Sequence, residues 1–269
     1  MHPLVNIAVS AARSAGNFIM RNADRVDQLQ IERKGRNDFV TQVDRGAESE
    51  IIKIIRKAYP QHAVLGEESG RDGDNEVLWI IDPLDGTTNF LHGLPHYAVS
   101  IGIQVKGKLE HGVIYAPNTQ DLYCATRGGG ATLNNRRIRV SGTKDMDSAL
   151  IGTGVPIRAG NLDAYLPMLR AVAESTAGVR RAGSAALDLA YVAAGRLDAF
   201  WELGLKPWDI AAGLVLVQEA GGMISEIYGA PDALETGNVL AATPKLHPML
   251  IDALAGVARA AAAQEQREG

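Results

Sequence analysis

Five consecutive apolar residues, Val77-Leu78-Trp79-Ile80-Ile81, run directly into Asp82-Pro83-Leu84-Asp85-Gly86-Thr87-Thr88-Asn89. A short unbroken apolar run bounded by turn signals marks a strand covered on both faces, so the chain must supply a layer on each side of a sheet. An extended backbone would hold Asp82 and Asp85 about 10 Å apart on opposite faces, at ~3.3 Å per residue. Pro83 and Gly86 argue against extension, because Pro favours the second position of a turn and a turn brings its ends within about 7 Å. The two carboxylates are then expected to converge at the end of a buried strand, with the Leu84 carbonyl turned inward as a further hard oxygen ligand. Gly86, Thr87 and Thr88 follow with free backbone N–H groups at a helix start, an arrangement that receives anions. Asp and Thr are also ordinary caps, so this segment alone fits a plain capped turn as well as a metal-and-phosphate site.

Apolar residues Leu4, Ile7, Ala8, Ala11, Ala15, Phe18 and Ile19 recur at helical spacing over 4–20, and Ala47, Ile51, Ile54, Ile55 and Ala58 do so over 44–58, where Pro60 stops the helix. The polar stretch Glu32 to Asp38 lies between them. Strands are expected at 97–105, 109–116 and 121–126, with Gly128-Gly129-Gly130 as a turn, since the helix that would follow a phosphate-cradling loop is missing. Strand 149–155, helix 162–175, a short strand at 178–182, helix 185–194, strand 197–202 and helix 208–220 follow. Strands at 222–227 and 238–242 precede a last helix, 246–262. Interleaved strands and helices in both halves imply layered sheets and helices. The chain reads as a single catalytic unit of two lobes, about 1–145 and 146–262, with 263–269 as a fraying tail.

The net charge of −4 argues against a protein that wraps nucleic acid, which needs clustered Lys and Arg, and no direct nucleic-acid binding is expected. Arg136, Arg137 and Arg139, and the pair Arg180-Arg181, read as ordinary surface charges, with a partner-binding patch as the alternative and Arg180-Arg181 as its candidate contact. The single cysteine, Cys124, excludes a disulfide or thiolate cage and reads as a core thiol in a buried strand. No run approaches the ~18 apolar residues of a membrane span. No basic and apolar leader opens the sequence, which leaves the cytoplasm as the expected location.

Three further acids stand at element ends. Glu67 follows the apolar run Ala63-Val64-Leu65 in Gly66-Glu67-Glu68-Ser69. Asp209 opens a helix in Trp208-Asp209-Ile210-Ala211-Ala212-Gly213, where a first-turn acid is favourable on its own account. Asp44 closes Asp38-Phe39-Val40-Thr41-Gln42-Val43-Asp44, where Thr41 and Asp44 suit a capping box with Asp in place of Glu. If Glu67, Asp82, Asp85 and Asp209 share one site, four negative charges require cations or protons.

These segments, in this order and spacing, resemble the inositol monophosphatase family, within the fructose-1,6-bisphosphatase-like superfamily. The likeness runs over nearly the whole chain, including Arg127-Gly128-Gly129-Gly130-Ala131 and Glu219-Ala220-Gly221-Gly222. Met1-His2-Pro3 and Gly183-Ser184-Ala185-Ala186-Leu187-Asp188-Leu189-Ala190-Tyr191 look like its bacterial SuhB branch. The resemblance implies an α+β fold, a layered αβαβα sandwich, and a magnesium-dependent phosphomonoesterase acting on inositol monophosphate or a similar small polyol phosphate. It implies two to three Mg2+ ions: Glu67, Asp82 and the Leu84 carbonyl on the first, Asp82, Asp85 and Asp209 on the second, and Glu67 on a weaker third. Thr87, paired with Asp44, and Glu67 would stand beside an attacking metal-activated water. Gly86 and Thr87 would touch phosphate, and Asp85, Gly183, Ser184, Ala185, Glu202 and Asp209 would line the polyol side. A carboxylate at Glu202 favours a monophosphate over fructose bisphosphate, with a nucleotide phosphate as a further alternative. The branch also implies binding to the RNA polymerase antitermination machinery, alone or beside catalysis, and a homodimer with a shift towards monomer in bacteria. Two departures fall near the expected mouth, the short loop 70–76 and Lys206-Pro207 before Trp208.

Overall fold

A computed structural model describes residues 2–23, 25–26, 31–35, 38–155, 162–230 and 232–256. Helices are α1 (Pro3–Ala23), α2 (Gln42–Ala58), α3 (Thr87–Leu91), α4 (Leu162–Ser175), α5 (Ala185–Ala193), α6 (Pro207–Glu219) and α7 (Ala233–Thr236). Residues 246–256 are also helical. A hairpin of β1 (Ile31–Gly35) and β2 (Asp38–Thr41) leads into α2. The main sheet contains β3 (Ala63–Gly66), β4 (Gly70–Asp72), β5 (Val77–Asp85), β6 (Ala98–Val105), β7 (Lys108–Ala116), β8 (Asp121–Thr126), β9 (Gly130–Leu133) and β10 (Arg136–Arg137). Its order is β10-β9-β8-β7-β6-β5-β3-β4, antiparallel except where β3 meets β5. The second sheet contains β11 (Leu150–Thr153), β12 (Gly178–Arg180), β13 (Ala199–Glu202), β14 (Met223–Glu226) and β15 (Val239–Ala242). Its order is β12-β11-β13-β15-β14, with β11 parallel to both neighbours.

Side-chain alternation assembles these into five layers. Along β5, Trp79 and Ile81 pack against α1 and α2, while Leu78 and Ile80 face α5 and α6. Along β13, Phe200 joins the α5–α6 layer, and Ala199 and Trp201 turn to α4 and helix 246–256. The expected αβαβα sandwich follows, with both sheets covered on both faces.

Several elements differ from expectation. Residues 32–35 and 38 of the polar stretch belong to the β1–β2 hairpin, and Gly70–Asp72, expected within a loop, pairs with β3 as an edge strand. Edge strands bury little, so they leave a weak apolar signal. The Gly128–Gly130 segment is the expected turn, and its N–H groups are taken: Gly128 and Gly130 donate to the Glu219 carboxylate at 2.7 Å each. Cys124 is a core thiol in β8, pushed up to about 12 mainly by burial. The last helix starts at 246 as expected, and its expected C-terminal end and the tail 263–269 lie outside the described residues.

The position of α6 is set by glycines. A Cβ on Gly102 of β6 would stand 2.6 Å from the Ala211 Cβ and 3.1 Å from the Ala212 nitrogen, and Gly112 of β7 likewise meets the Ala212 backbone. The helix therefore lies on bare sheet backbone, and its first turn, with Asp209, comes close to the end of β5.

Candidate active site

The Pro83–Gly86 turn is instead a bulge inside a strand. β5 continues to Asp85, and its register slips: Asp82 faces Ser100 while Asp85 faces Ala98. Pro83 is tolerated because a bulged position needs no ladder N–H. The Leu84 N–H closes the bulge by donating to Asp82 Oδ1 at 2.9 Å. The extra residue undoes the strand's alternation, so Asp82 and Asp85 border the same cleft. Gly86 then takes a left-handed backbone (φ 99°) ahead of α3, where a Cβ would meet the His96 carbonyl at 2.9 Å.

The N-terminus of α2 supports one wall. Thr41 and Asp44 form the expected capping box: Thr41 N–H and Oγ1 donate to Asp44 Oδ2 at 2.8 and 2.7 Å. Asp44 Oδ1 is left to accept from Thr87 Oγ1 at 2.8 Å, so capping and the expected Thr87 pairing coexist. Thr87 Oγ1 also lies 3.1 Å from the Leu84 carbonyl, which brings that oxygen beside the pair. Glu67 stands in the turn between β3 and β4, lines the cleft, and anchors its N–H on Ile81 at 3.1 Å.

The opposite wall comes from the second half of the chain. Ser184 caps α5 and donates to Asp85 Oδ2 at 2.7 Å, and Ala186 N–H donates to the same oxygen at 2.7 Å. Asp209 sits in the first turn of α6 and accepts from Lys206 N–H at 2.7 Å. Glu202 ends β13 and, with Gly183 and Ala185, lines the cleft, whose volume is about 570 Å³. Every expected site residue except Asp44 lines this space, and Asp44 reaches it through Thr87.

Four residues were missed by sequence reasoning. Asn89 donates to the Ala182 carbonyl at 2.9 Å and the His96 carbonyl at 2.7 Å, tying α3 to the Gly183 loop. Asp188, buried in α5, lines the cleft with Arg181 and has an oxygen, Oδ1, without a hydrogen-bond partner. Glu48, also buried, accepts from the N–H groups beside Glu67. The acids at Glu48 and Asp188 interrupt apolar helix stripes, and that was the readable signal. His92 and His96 have loop roles: His92 Nδ1 lies 2.8 Å from the Thr88 carbonyl, and His96 packs its ring on Tyr191.

Electrostatics shows how crowded the acids are. Burial pushes the Asp82 carboxyl well above its ordinary range, and Glu67, Asp85 and Asp209 push it the same way against the Leu84 N–H. Asp85 rises to about 7, through burial and then Asp209, opposed by Ser184 and Ala186. Glu202 is raised by burial, then by Asp209, Asp188 and Asp85, with Arg181 opposing. Burial also raises Asp44, against the Thr41 and Thr87 bonds. Such a cluster must hold protons or cations. Its donors are all hard oxygens, which suit magnesium and not a softer metal. Among the described residues, no three acidic, histidine or cysteine side chains stand in metal-gripping proximity as a set. Magnesium keeps several of its waters, so acids that do not grip it directly as a set can hold it partly through bound water, and the all-oxygen donor set fits.

Comparison with known proteins matches residues 1–259 to the inositol monophosphatase family. The chain belongs to that family. The family is generally metal-dependent, and membership implies phosphatase activity. The chain is 54% identical over 258 residues to Nus factor SuhB of Pseudomonas aeruginosa, covering 93% of this chain and 95% of that one. The extragenic suppressor protein suhB of Bartonella henselae superposes with a TM-score of 0.92 at 44% identity, covering 94% and 98% of the two chains. An inositol monophosphatase from Anabaena superposes at 0.81 with 39% identity, covering 93% and 94%. Among the described residues, no helix of this inositol monophosphatase family member is long and apolar enough to cross a membrane.

Proposed function

We propose that this chain is a magnesium-dependent phosphomonoesterase that hydrolyses inositol monophosphate or a similar small polyol phosphate. The observation that carries the reading is the mutual electrostatic pressure of Glu67, Asp82, Asp85 and Asp209 from three separate parts of the chain around one cleft. Glu67, Asp82 and the Leu84 carbonyl would hold one ion, Asp82, Asp85 and Asp209 a second, and Glu67 a weaker third. When bound, the ions neutralise charge on the phosphate and make water a better nucleophile. The protein's own groups supply the rest. Thr87 gives its proton to Asp44 Oδ1 and keeps lone pairs for a water proton, and the raised proton affinity of Asp44 suits a final acceptor. The first backbone N–H groups of α3, after Gly86, have no partner within the helix and would receive phosphate oxygens. Asp85, Ser184, Gly183, Ala185 and Glu202 accept and position the polyol hydroxyls. The Glu202 carboxylate works against a second phosphate on that side. Initial rates on inositol 1-phosphate, fructose 1,6-bisphosphate and a nucleoside 3′-phosphate, with magnesium, test the substrate class. Preference for the inositol ester supports it, and preference for the bisphosphate overturns it.

A second role is favoured by the 54% identity to a Nus factor over 93% of the chain. In that reading the protein also binds the transcription antitermination machinery in the cytoplasm, with or without catalysis. Complementation by Asp82→Asn, together with pull-down of RNA polymerase, separates the roles: an inactive variant that restores growth makes binding the essential one.

A further inference from the structure

The turn Glu67-Glu68-Ser69 joins β3 to β4, and α2 anchors it. Glu48, 2% exposed, accepts from the Glu68 N–H through Oε2 at 3.0 Å and from the Ser69 N–H through Oε1 at 2.8 Å. The fit is close enough to dictate the preceding residue: a Cβ on Gly66 would stand 2.5 Å from Glu48 Oε2 and 2.6 Å from its carboxyl carbon. Glu48 lies one helical turn beyond Asp44, on the same buried stripe of α2 as Ile51 and Ile55. Asp44 grips Thr87 and Glu48 grips the turn that carries Glu67. One rigid helix thus fixes both sides of the place where Thr87 and Glu67 must act together.

We infer that Glu48 is a positioning residue for the metal site, holding Glu67 at its working distance from Thr87 through two charge-assisted bonds to the Glu68 and Ser69 N–H groups. The inference rests on the metal-dependent reading above. It requires the carboxylate rather than mere bulk. The amide of Glu48→Gln presents one acceptor and sets a donor against the other N–H. Glu48→Asp keeps the charge but is one methylene short of spanning both. Outer partners of metal ligands commonly carry ~10–100-fold in metal affinity.

The test is calorimetric titration of Mg2+ into the full-length protein, for wild type, Glu48→Gln, Glu48→Asp, Glu67→Gln and Glu48→Gln/Glu67→Gln, each also checked for its unfolding midpoint. Asp198→Asn is the control: Asp198 is likewise buried and grips a backbone N–H, that of Leu150 at 2.7 Å, away from the cleft. The expected result is Mg2+ affinity ~10-fold weaker in both Glu48 variants. It is unchanged in Asp198→Asn, and Glu48→Gln has no further effect once Glu67 is already Gln. Should one Glu48 variant fail to fold, the other carries the comparison. Affinity within about two-fold of wild type in a folded Glu48 variant overturns the inference. So does an equal loss in Asp198→Asn, or full additivity with Glu67→Gln. Wild-type protein that binds no Mg2+ overturns the metal-dependent reading itself, and the inference with it.

Discussion

Gly102→Ala should damage the metal site without touching it. The added methyl would stand 2.6 Å from the Ala211 Cβ, with Ala211 C and Ala212 N at 3.1 Å. Carbon atoms rest ~3.5–4.0 Å apart, so α6 must lift by about 1 Å. Neither side can yield cheaply, because β6 is held between β5 and β7 and the helix is buried against both sheets. Overpacking of this kind costs ~1–3 kcal/mol. Replacing a strand glycine by alanine returns ~0.5–1 kcal/mol of backbone entropy, leaving a net loss of about 1 kcal/mol at mid-range and at most about 2.5 kcal/mol. The functional effect is larger in proportion. Asp209 lies two residues before Ala211 on the lifted helix, and Ser100, two residues before Gly102, holds the Trp208 carbonyl at 3.2 Å. A displacement of ~1 Å near reacting groups can cost 10²-fold in rate. Urea unfolding and the magnesium dependence of phosphate release measure the two effects, with Gly142→Ala as control because nothing lies within 4 Å of a Cβ there. A Gly102→Ala protein with wild-type stability and magnesium response would show that close packing of α6 does not place Asp209.

Thr87→Val keeps the side chain's shape and removes its hydroxyl. It should lower kcat by about 10²-fold with little change in KM, read by steady-state kinetics, since the Thr87–Asp44 bond serves proton transfer and not binding. The metal-free protein should lose stability as pH rises. Asp82, Asp85 and Glu202 all have folded-state proton affinities above those of the unfolded chain, so the fold binds more protons and its advantage fades as pH rises, for Asp85 between its ordinary carboxylate range and about 7. Magnesium competes with those protons, so its stabilising shift in the urea midpoint should be larger at pH 8 than at pH 5. An equal shift at both would mean the acids do not share the ion.

The strongest sequence signals were those that depend on near neighbours alone. The apolar run before Asp82 announced a two-sided strand, and β5 places Trp79 and Ile81 on one face and Leu78 and Ile80 on the other. Thr41 and Asp44 announced a capping box, which forms. The carboxylates 82 and 85 were legible as a converging pair, but the device was not: Pro83 and Gly86 fit a turn or a bulge equally, and only pairing with β6 selects the bulge. Residues whose partner is remote in sequence were missed. Glu48 meets a turn 20 residues on, and Asn89 meets a carbonyl 93 residues on. The glycines at 102 and 112 interrupt strand patterns, a sign of close backbone approach. Which helix approaches was fixed by tertiary packing.

The most direct measurement is phosphate release from inositol 1-phosphate as Mg2+ is titrated, for wild type and Asp82→Asn. Asp82 is the carboxylate on which Glu67, Asp85 and Asp209 all bear. The expected result is turnover that rises with magnesium in the wild type and is abolished in the folded variant. Turnover without magnesium, or unchanged in Asp82→Asn, would contradict a reaction run through these four carboxylates.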